Sequence, residues 1–204
     1  MNKELYGILE DLQDNSNQEF IERVSEKRIT PGWQVPFYLG VVENEEVVEA
    51  LEYAKQGMVE KPKFLDPGCG SGFAVILASQ IGYDSYGIDL EKGLVELAED
   101  NVNLSGQKGF DTSNIKNIVQ GDLSQNKAYD SLRTSFSDID VFFTYFTRGD
   151  ILPFLDKYEK EAKPGSKAIL VPHYSEKTLD SFFKGDNSRP EVIKRGEDYQ
   201  IIQK

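Results

Sequence analysis

The chain contains a single cysteine, Cys69, and a single histidine, His173, among 204 residues. An intrachain disulfide is therefore impossible, and one ligand of each kind cannot build a zinc site of the usual types. Basic residues are scarce as well: 23 Lys and Arg stand against 35 Asp and Glu, for a net charge of −12 and a sequence pI of about 4.6. Holding nucleic acid through the general surface needs the opposite sign, so no general nucleic-acid binding is expected. Lys184, Arg189, Lys194 and Arg195 cluster late in the chain and read as a solvated face. No apolar run approaches the roughly 18 residues of a membrane helix. The opening residues Met1-Asn2-Lys3-Glu4-Leu5 lack the apolar core of a secretory signal. With its lone cysteine, the chain is expected in a reducing cytoplasm. It shows no internal repeat, low-complexity tract or second domain.

Hydrophobic residues make up 39% of the chain, enough for one domain with a full core. The informative stretch is Lys63-Phe64-Leu65-Asp66-Pro67-Gly68-Cys69-Gly70-Ser71-Gly72-Phe73. A short apolar run ends in a carboxylate, three alternating glycines follow, and an apolar helix-like segment begins. Such a strand, turn and helix bring a ligand against the main chain, because glycine permits close approach and the helix start offers free N–H groups. The dinucleotide fingerprint is G-x-G-x-x-G. Here the spacing is G-x-G-x-G, with Phe73 in place of the third dinucleotide glycine. Asp66 before the glycines would also sit badly beside a pyrophosphate, and it suits an ammonium. Cys69, inside this turn, reads as packing or ligand wall and not as a nucleophile.

Two further acids end the next strands. Tyr86-Gly87-Ile88-Asp89-Leu90 reads as a second strand, whose Asp89 can accept both ribose hydroxyls of a nucleoside. Ile115 to Gln120 reads as a third, followed by Gly121-Asp122-Leu123. Upstream, residues 3–13, 17–28 and 45–56 have helical spacing, and Thr30 to Phe37 is an extended, proline-punctuated loop. Downstream come a helical or irregular stretch to Phe136 and a very hydrophobic strand from Ile139 to Phe146. A helix capped by Asp150 runs to Ala162, and a strand spans Lys167 to Val171. A helix over 176–183 and a closing hairpin, 191–194 with 199–203, complete the chain. Alternating strands and helices imply an α/β fold with a doubly wound sheet.

The glycine loop resembles motif I (acid-x-G-x-G-x-G) of the class I, seven-strand S-adenosylmethionine-dependent methyltransferases, and Asp66, Asp89 and Asp122 match three acidic positions of that family in order. Lys163-Pro164-Gly165-Ser166-Lys167 is similar to the turn before its fifth strand. The resemblance implies a seven-strand, mostly parallel Rossmann-like sheet with N-terminal helices and a C-terminal β-hairpin. Residues 1–58 would be a helical extension and cofactor-mouth segment, and 59–204 the cofactor-binding domain. It implies S-adenosylmethionine as cofactor, with Asp66, Gly68, Cys69, Gly70, Gly72, Asp89, Leu90, Asp122 and Leu123 as its contacts. Asp122 would meet the adenine amino group, and the N–H of Leu123 a ring nitrogen.

Val35-Pro36-Phe37, followed by Glu46-Val47-Val48-Glu49-Ala50, resembles the lead-in of a small branch that includes archaeal protein lysine methyltransferases. Tyr145 lies where that branch has a tyrosine, and it is the candidate catalytic residue, walling a channel for an amine. A strand-end aromatic packed under the next helix is the alternative role for it. Trp33, Phe37 and Tyr38 are either a lid or a packing contact. Phe143-Thr144-Tyr145-Phe146-Thr147 lacks the [ND]-P-P-[YF] of enzymes that methylate base or glutamine amides. The expected reaction is methyl transfer to an amine or similar nucleophile, the acceptor being a protein lysine, a small molecule or RNA in that order. A non-catalytic S-adenosylmethionine-binding protein and a nicotinamide-dependent oxidoreductase are the alternatives.

Overall fold

The computed structural model describes residues 14–15, 17–26, 44–146, 148–172, 191–196 and 199–204. Its helices are α1 (17–25), α2 (Asn44–Lys55), α3 (Phe73–Gln80), α4 (Lys92–Gln107), α5 (Asn126–Leu132) and α6 (Arg148–Glu161). Its strands are β1 (Lys63–Asp66), β2 (Asp84–Asp89), β3 (Ile115–Gln120), β4 (Val141–Phe146), β5 (Lys167–Pro172), β6 (Glu191–Arg195) and β7 (Gln200–Gln203). The seven strands form one sheet in the order β3-β2-β1-β4-β5-β7-β6. The first five are parallel, whereas β7 runs antiparallel to both β5 and β6. This is the doubly wound, mostly parallel sheet with a terminal hairpin that the strand-helix alternation implies. The expected helices at 3–13 and 176–183, the Trp33–Tyr38 segment, His173, Lys184 and Arg189 lie outside the described residues.

Strand residues alternate between faces, and the two faces bury separate apolar clusters. On one face Phe64, Val141, Phe143, Ile169 and Ile201 meet α2, α3 and α4 through Val47, Leu51, Val75, Ile76 and Ala98. On the other, Leu65, Ile88, Phe142, Leu170 and Ile202 meet α5 and α6 through Leu132, Ile151, Phe154 and Tyr158. Phe142 is the hub there, with ring centroids 4.5 Å from Phe136, 5.5 Å from Tyr158 and 5.8 Å from Phe154. Full burial of one such side chain is worth about 1.5–3 kcal/mol. The whole run Ala74–Ser79 of α3 is buried, which explains its nearly uniform apolar composition.

Two side chains lash the flanks to this sandwich. Arg23 of α1 is buried, donating to Glu19, to the Asp100 carboxylate and to the Gly93 carbonyl at the start of α4. Phe20 packs beside it on Leu94 and Leu97. At the far edge Glu49 of α2 accepts from Tyr199 at 3.0 Å and pairs with Lys194 at 3.1 Å, fixing the hairpin. Lys194 is thereby spent on a structural contact.

Several boundaries differ from the sequence reading, among them those of α6 and β4. Helix α6 begins at Arg148, so Asp150 lies in its first turn instead of capping it, and Pro153 is accommodated inside the helix. Strand β4 begins at Val141; Asp140, just before it, donates its N–H to the Lys63 carbonyl at 2.9 Å, accepts the Lys167 N–H at 2.9 Å and takes the Lys63 N–H on its carboxylate. No helix among the described residues is long and apolar enough to cross a membrane.

Candidate active site

The strand register gathers the acids. Asp66, last residue of β1, lies on the face of Phe64, and Gly87 of β2 stands opposite it. Asp89, two residues beyond Gly87, therefore faces the same way at the carboxyl end of the neighbouring strand. Both are buried, Asp66 being 5% and Asp89 6% exposed. The glycine turn folds over this edge. Cys69 N–H donates to the Ile88 carbonyl at 2.9 Å, which seats the turn on β2. Gly70 N–H donates to Asp89 Oδ2 at 2.9 Å, and Glu91 N–H to Asp89 Oδ1 at 2.9 Å. Asp66 receives only the N–H of Gly68, at 3.3 Å.

The loop adopts the conformation that its glycines were expected to allow. Gly70 and Gly72 have φ of +50° and +78°. A Cβ on Gly72 would stand 2.9 Å from Ala98 Cβ of α4, so the turn is pressed against that helix. Gly68 is exposed, with nothing within 4 Å of where a Cβ would be. The loop's outer side thus has room for a ligand to touch its backbone.

The electrostatics follow from burial. Desolvation pushes the Asp66 carboxyl up to about 8; the Gly68 N–H opposes this, and the charge of Asp89 adds to it. Desolvation raises Asp89 too, but the N–H groups of Glu91 and Gly70 hold it back. Among the described residues no Lys or Arg side chain bonds to either acid. The Cys69 thiol is raised well above its ordinary value by burial and by Asp89 and Asp66. It is a protonated packing group, as its position within the turn implied: its Sγ fills the space 3.0 Å from where a Gly87 Cβ would stand. No cluster of three or more His, Cys, Asp or Glu suited to a metal occurs among the described residues.

The remaining expected residues line the same edge more openly. Leu90 is 72% exposed, directly after Asp89. The end of β3 is tied to that of β2, since Gly121 N–H donates to the Asp89 carbonyl at 2.8 Å and Gln120 Nε2 to the Leu90 carbonyl at 3.2 Å. Asp122 turns its carboxylate back on its own loop, accepting from Ser124 N–H and Oγ and from Gln125 Nε2. The Ser124 bonds hold its carboxyl below the ordinary carboxylate range. Leu123 is partly buried, and its carbonyl accepts from Tyr129. Tyr145 is partly buried and packs against the same cluster as Phe64 and Phe143, so it belongs to the face that carries Asp66.

Four supporting residues are given no role in the sequence reading. Gly87 leaves space for Cys69, and Ala98 for Gly72. Gly121 lies so close to α5 that a Cβ would meet Ala128 Cβ at 2.6 Å. Asn101 donates its side-chain amide to the Ser71 carbonyl at 2.9 Å. Gly87 carries a local signal, since an isolated glycine within a strand marks close approach. Ala98 and Asn101 carry none, because their partners are distant in sequence.

Residues 65–165 match the family model described as a methyltransferase domain. No protein of curated function matches the chain significantly. Among solved structures, an RNA methyltransferase from Salinibacter ruber in complex with S-adenosyl-L-homocysteine is 19% identical. It aligns over 79% of this chain and 90% of its own, with a TM-score of 0.55. A putative S-adenosyl-L-methionine-dependent methyltransferase from Methanococcus maripaludis is 17% identical, over 78% and 84%, with a TM-score of 0.56. A precorrin-6y C5,15-methyltransferase from Geobacter metallireducens is 15% identical, over 80% and 89%, with a TM-score of 0.51. At these identities the likeness is one of fold. The domain match sets aside the nicotinamide-dependent alternative. Residues 65–165 are thus a methyltransferase domain, on the seven-strand fold of the S-adenosylmethionine-dependent methyltransferases that the chain resembles in sheet order and glycine turn.

Proposed function

We propose that this chain transfers a methyl group to an amine or similar nucleophile. A protein lysine is the first candidate acceptor, followed by a small molecule and RNA. The observation that carries the cofactor part of this reading is the buried Asp66–Asp89 pair flanking the glycine turn. The residues fit S-adenosylmethionine. Asp66 is a buried acid that no basic side chain compensates among the described residues, and a ligand ammonium would relieve it. Asp89 spends one acceptor site of each oxygen on the backbone and has capacity left for two hydroxyls. The open outer side of Gly68 admits the amino-acid moiety, with Cys69, Gly70 and Gly72 as its wall.

In this assignment Asp66 takes the ammonium and Asp89 the ribose hydroxyls. Leu90 covers the ring, and Asp122 with Leu123 meets the adenine edge. Bound S-adenosylmethionine supplies a methyl group already activated by its sulfonium. The chain's own task is to hold the acceptor in line and free of water; alignment of this kind is worth about 7–11 kcal/mol. A strong general base is therefore unnecessary. For a lysine acceptor, burial against Tyr145 would favour the neutral amine. Tyr145 is proposed as the wall of that channel.

Calorimetric titration with S-adenosylhomocysteine tests the cofactor site, and absence of binding at millimolar ligand would refute it. Transfer of labelled methyl in a cell extract, fractionated into protein, RNA and small molecules, tests the acceptor. Label in protein that alkaline hydrolysis leaves on lysine supports the first candidate. Label in the other fractions displaces it, and label in none supports a binding-only protein.

A further inference from the structure

The glycine turn is held from both sides. Asp89 grips it from β2 through the Gly70 N–H, and α4 grips it from behind. On α4, Ala98 and Asn101 are three residues apart and so share one face. Ala98 is fully buried and lets Gly72 approach, while Asn101 is 7% exposed and donates Nδ2 to the Ser71 carbonyl at 2.9 Å. The bond spans thirty positions of sequence, from helix to turn. It bears on the peptide between Ser71 and Gly72, which lies between Gly70 and the start of α3 at Phe73 and includes Gly72; both glycines have positive φ. Within the turn the N–H of that peptide donates to the Cys69 carbonyl at 2.7 Å, and the Asn101 bond ties its carbonyl side to α4. Ser71 itself is only partly buried, at the rim of the proposed cofactor cradle.

We infer that Asn101 is a positioning residue of the cofactor site: its amide locks the Gly70-Ser71-Gly72 turn in the form that receives the ligand. The inference rests on the cofactor reading above. It says that the cost of losing this bond appears in ligand affinity, because an unlocked turn must be reordered on binding.

The test uses the full chain and S-adenosylhomocysteine, with affinity by calorimetry and stability of the ligand-free protein by thermal melting. Asn101→Ala is expected to weaken binding about five- to tenfold, the equivalent of one hydrogen bond. Asn103→Ala, an exposed position of the same helix, is the control and is expected to bind as wild type. Asn101→Asp keeps the size and loses the donor when ionised. Its affinity relative to wild type at the same pH is expected to be worst at pH 7 and to recover towards pH 4, about the ordinary value of an aspartic carboxyl, where a protonated carboxyl again donates. A purely structural role would not produce that pH-dependent recovery.

If wild type binds and Asn101→Ala binds equally well, the inference fails while the cofactor reading stands. If Asn101→Ala does not fold, the Asn101→Asp profile decides: a ratio flat with pH overturns the inference. If wild type itself does not bind, both fall together.

Discussion

The two edges of the sheet treat their acids in opposite ways. At the amino edge three acids have a lysine each. Asp140 pairs with Lys163 at 2.7 Å and also accepts the Lys63 N–H at 2.8 Å. Asp138 lies 3.7 Å from Lys63, and Asp84 3.1 Å from Lys116. At the carboxyl edge Asp66 and Asp89 are deeper than any of these and meet only backbone N–H groups. The same residue type serves as a brace at one end and as a receptor at the other. What differs is whether the protein supplies the counter-charge or leaves it to a ligand. A fold selected for stability alone would not bury Asp66 beside Asp89 without a cation.

Asp66→Asn should break this contrast most visibly. Losing the charge that faces the ligand ammonium is expected to weaken S-adenosylhomocysteine binding roughly 100-fold, the lower end of the loss for a broken buried pair. Without ligand the same variant should gain stability relative to wild type as pH rises. The folded Asp66 carboxyl titrates at about 8, against about 4 when unfolded. Its contribution to stability is therefore fully present below pH 4 and is lost as pH rises through 8. Melts of both proteins at pH 5 and pH 8.5 check this; a variant no better than wild type at pH 8.5 contradicts it.

Asp89→Ala comes next, with a loss of affinity of about 1–3 kcal/mol from hydroxyl bonds to a charged acceptor. The loop also loses the anchor at Gly70 N–H, so part of the loss is positional. An unchanged dissociation constant would show Asp89 to be misassigned. Asp140→Ala sharpens the comparison from the other edge. It should cost about 1–2 kcal/mol of stability in chemical denaturation, while affinity stays as in wild type. The smallest effect is expected at Asp122, whose carboxylate is already engaged by Ser124 and Gln125. Asp122→Ala should weaken binding only about threefold, in line with one hydrogen bond at a partly exposed site.

The sequence carried the strand ends well, because they are written locally. Strands β1 and β3 fall where the apolar runs place them, and the acids that end β1 and β2 lie on one face because alternation in a strand has a period of two. The start of α6 was less legible. Asp150 is a good capping residue, but an acid is equally at home in a first helical turn, and local chemistry does not separate the two. Exposure was not legible either. Asp122 and Asp89 look alike in sequence, yet one folds back on its own loop and the other is sealed under the glycine turn. The residues that hold the turn from behind, Ala98 and Asn101, have ordinary helical identities. Their role exists only once α4 is laid against the loop.

The central claim is that Asp66 holds a proton in the ligand-free protein and exchanges it for the cation of the cofactor. Titration of S-adenosylhomocysteine at pH 7, followed by calorimetry in two buffers of different ionisation heat, measures this directly. The account predicts one site and the release of close to one proton per ligand bound, with Asp66→Asn releasing none. Binding with no proton released by the wild-type protein, or no binding at all, would contradict it.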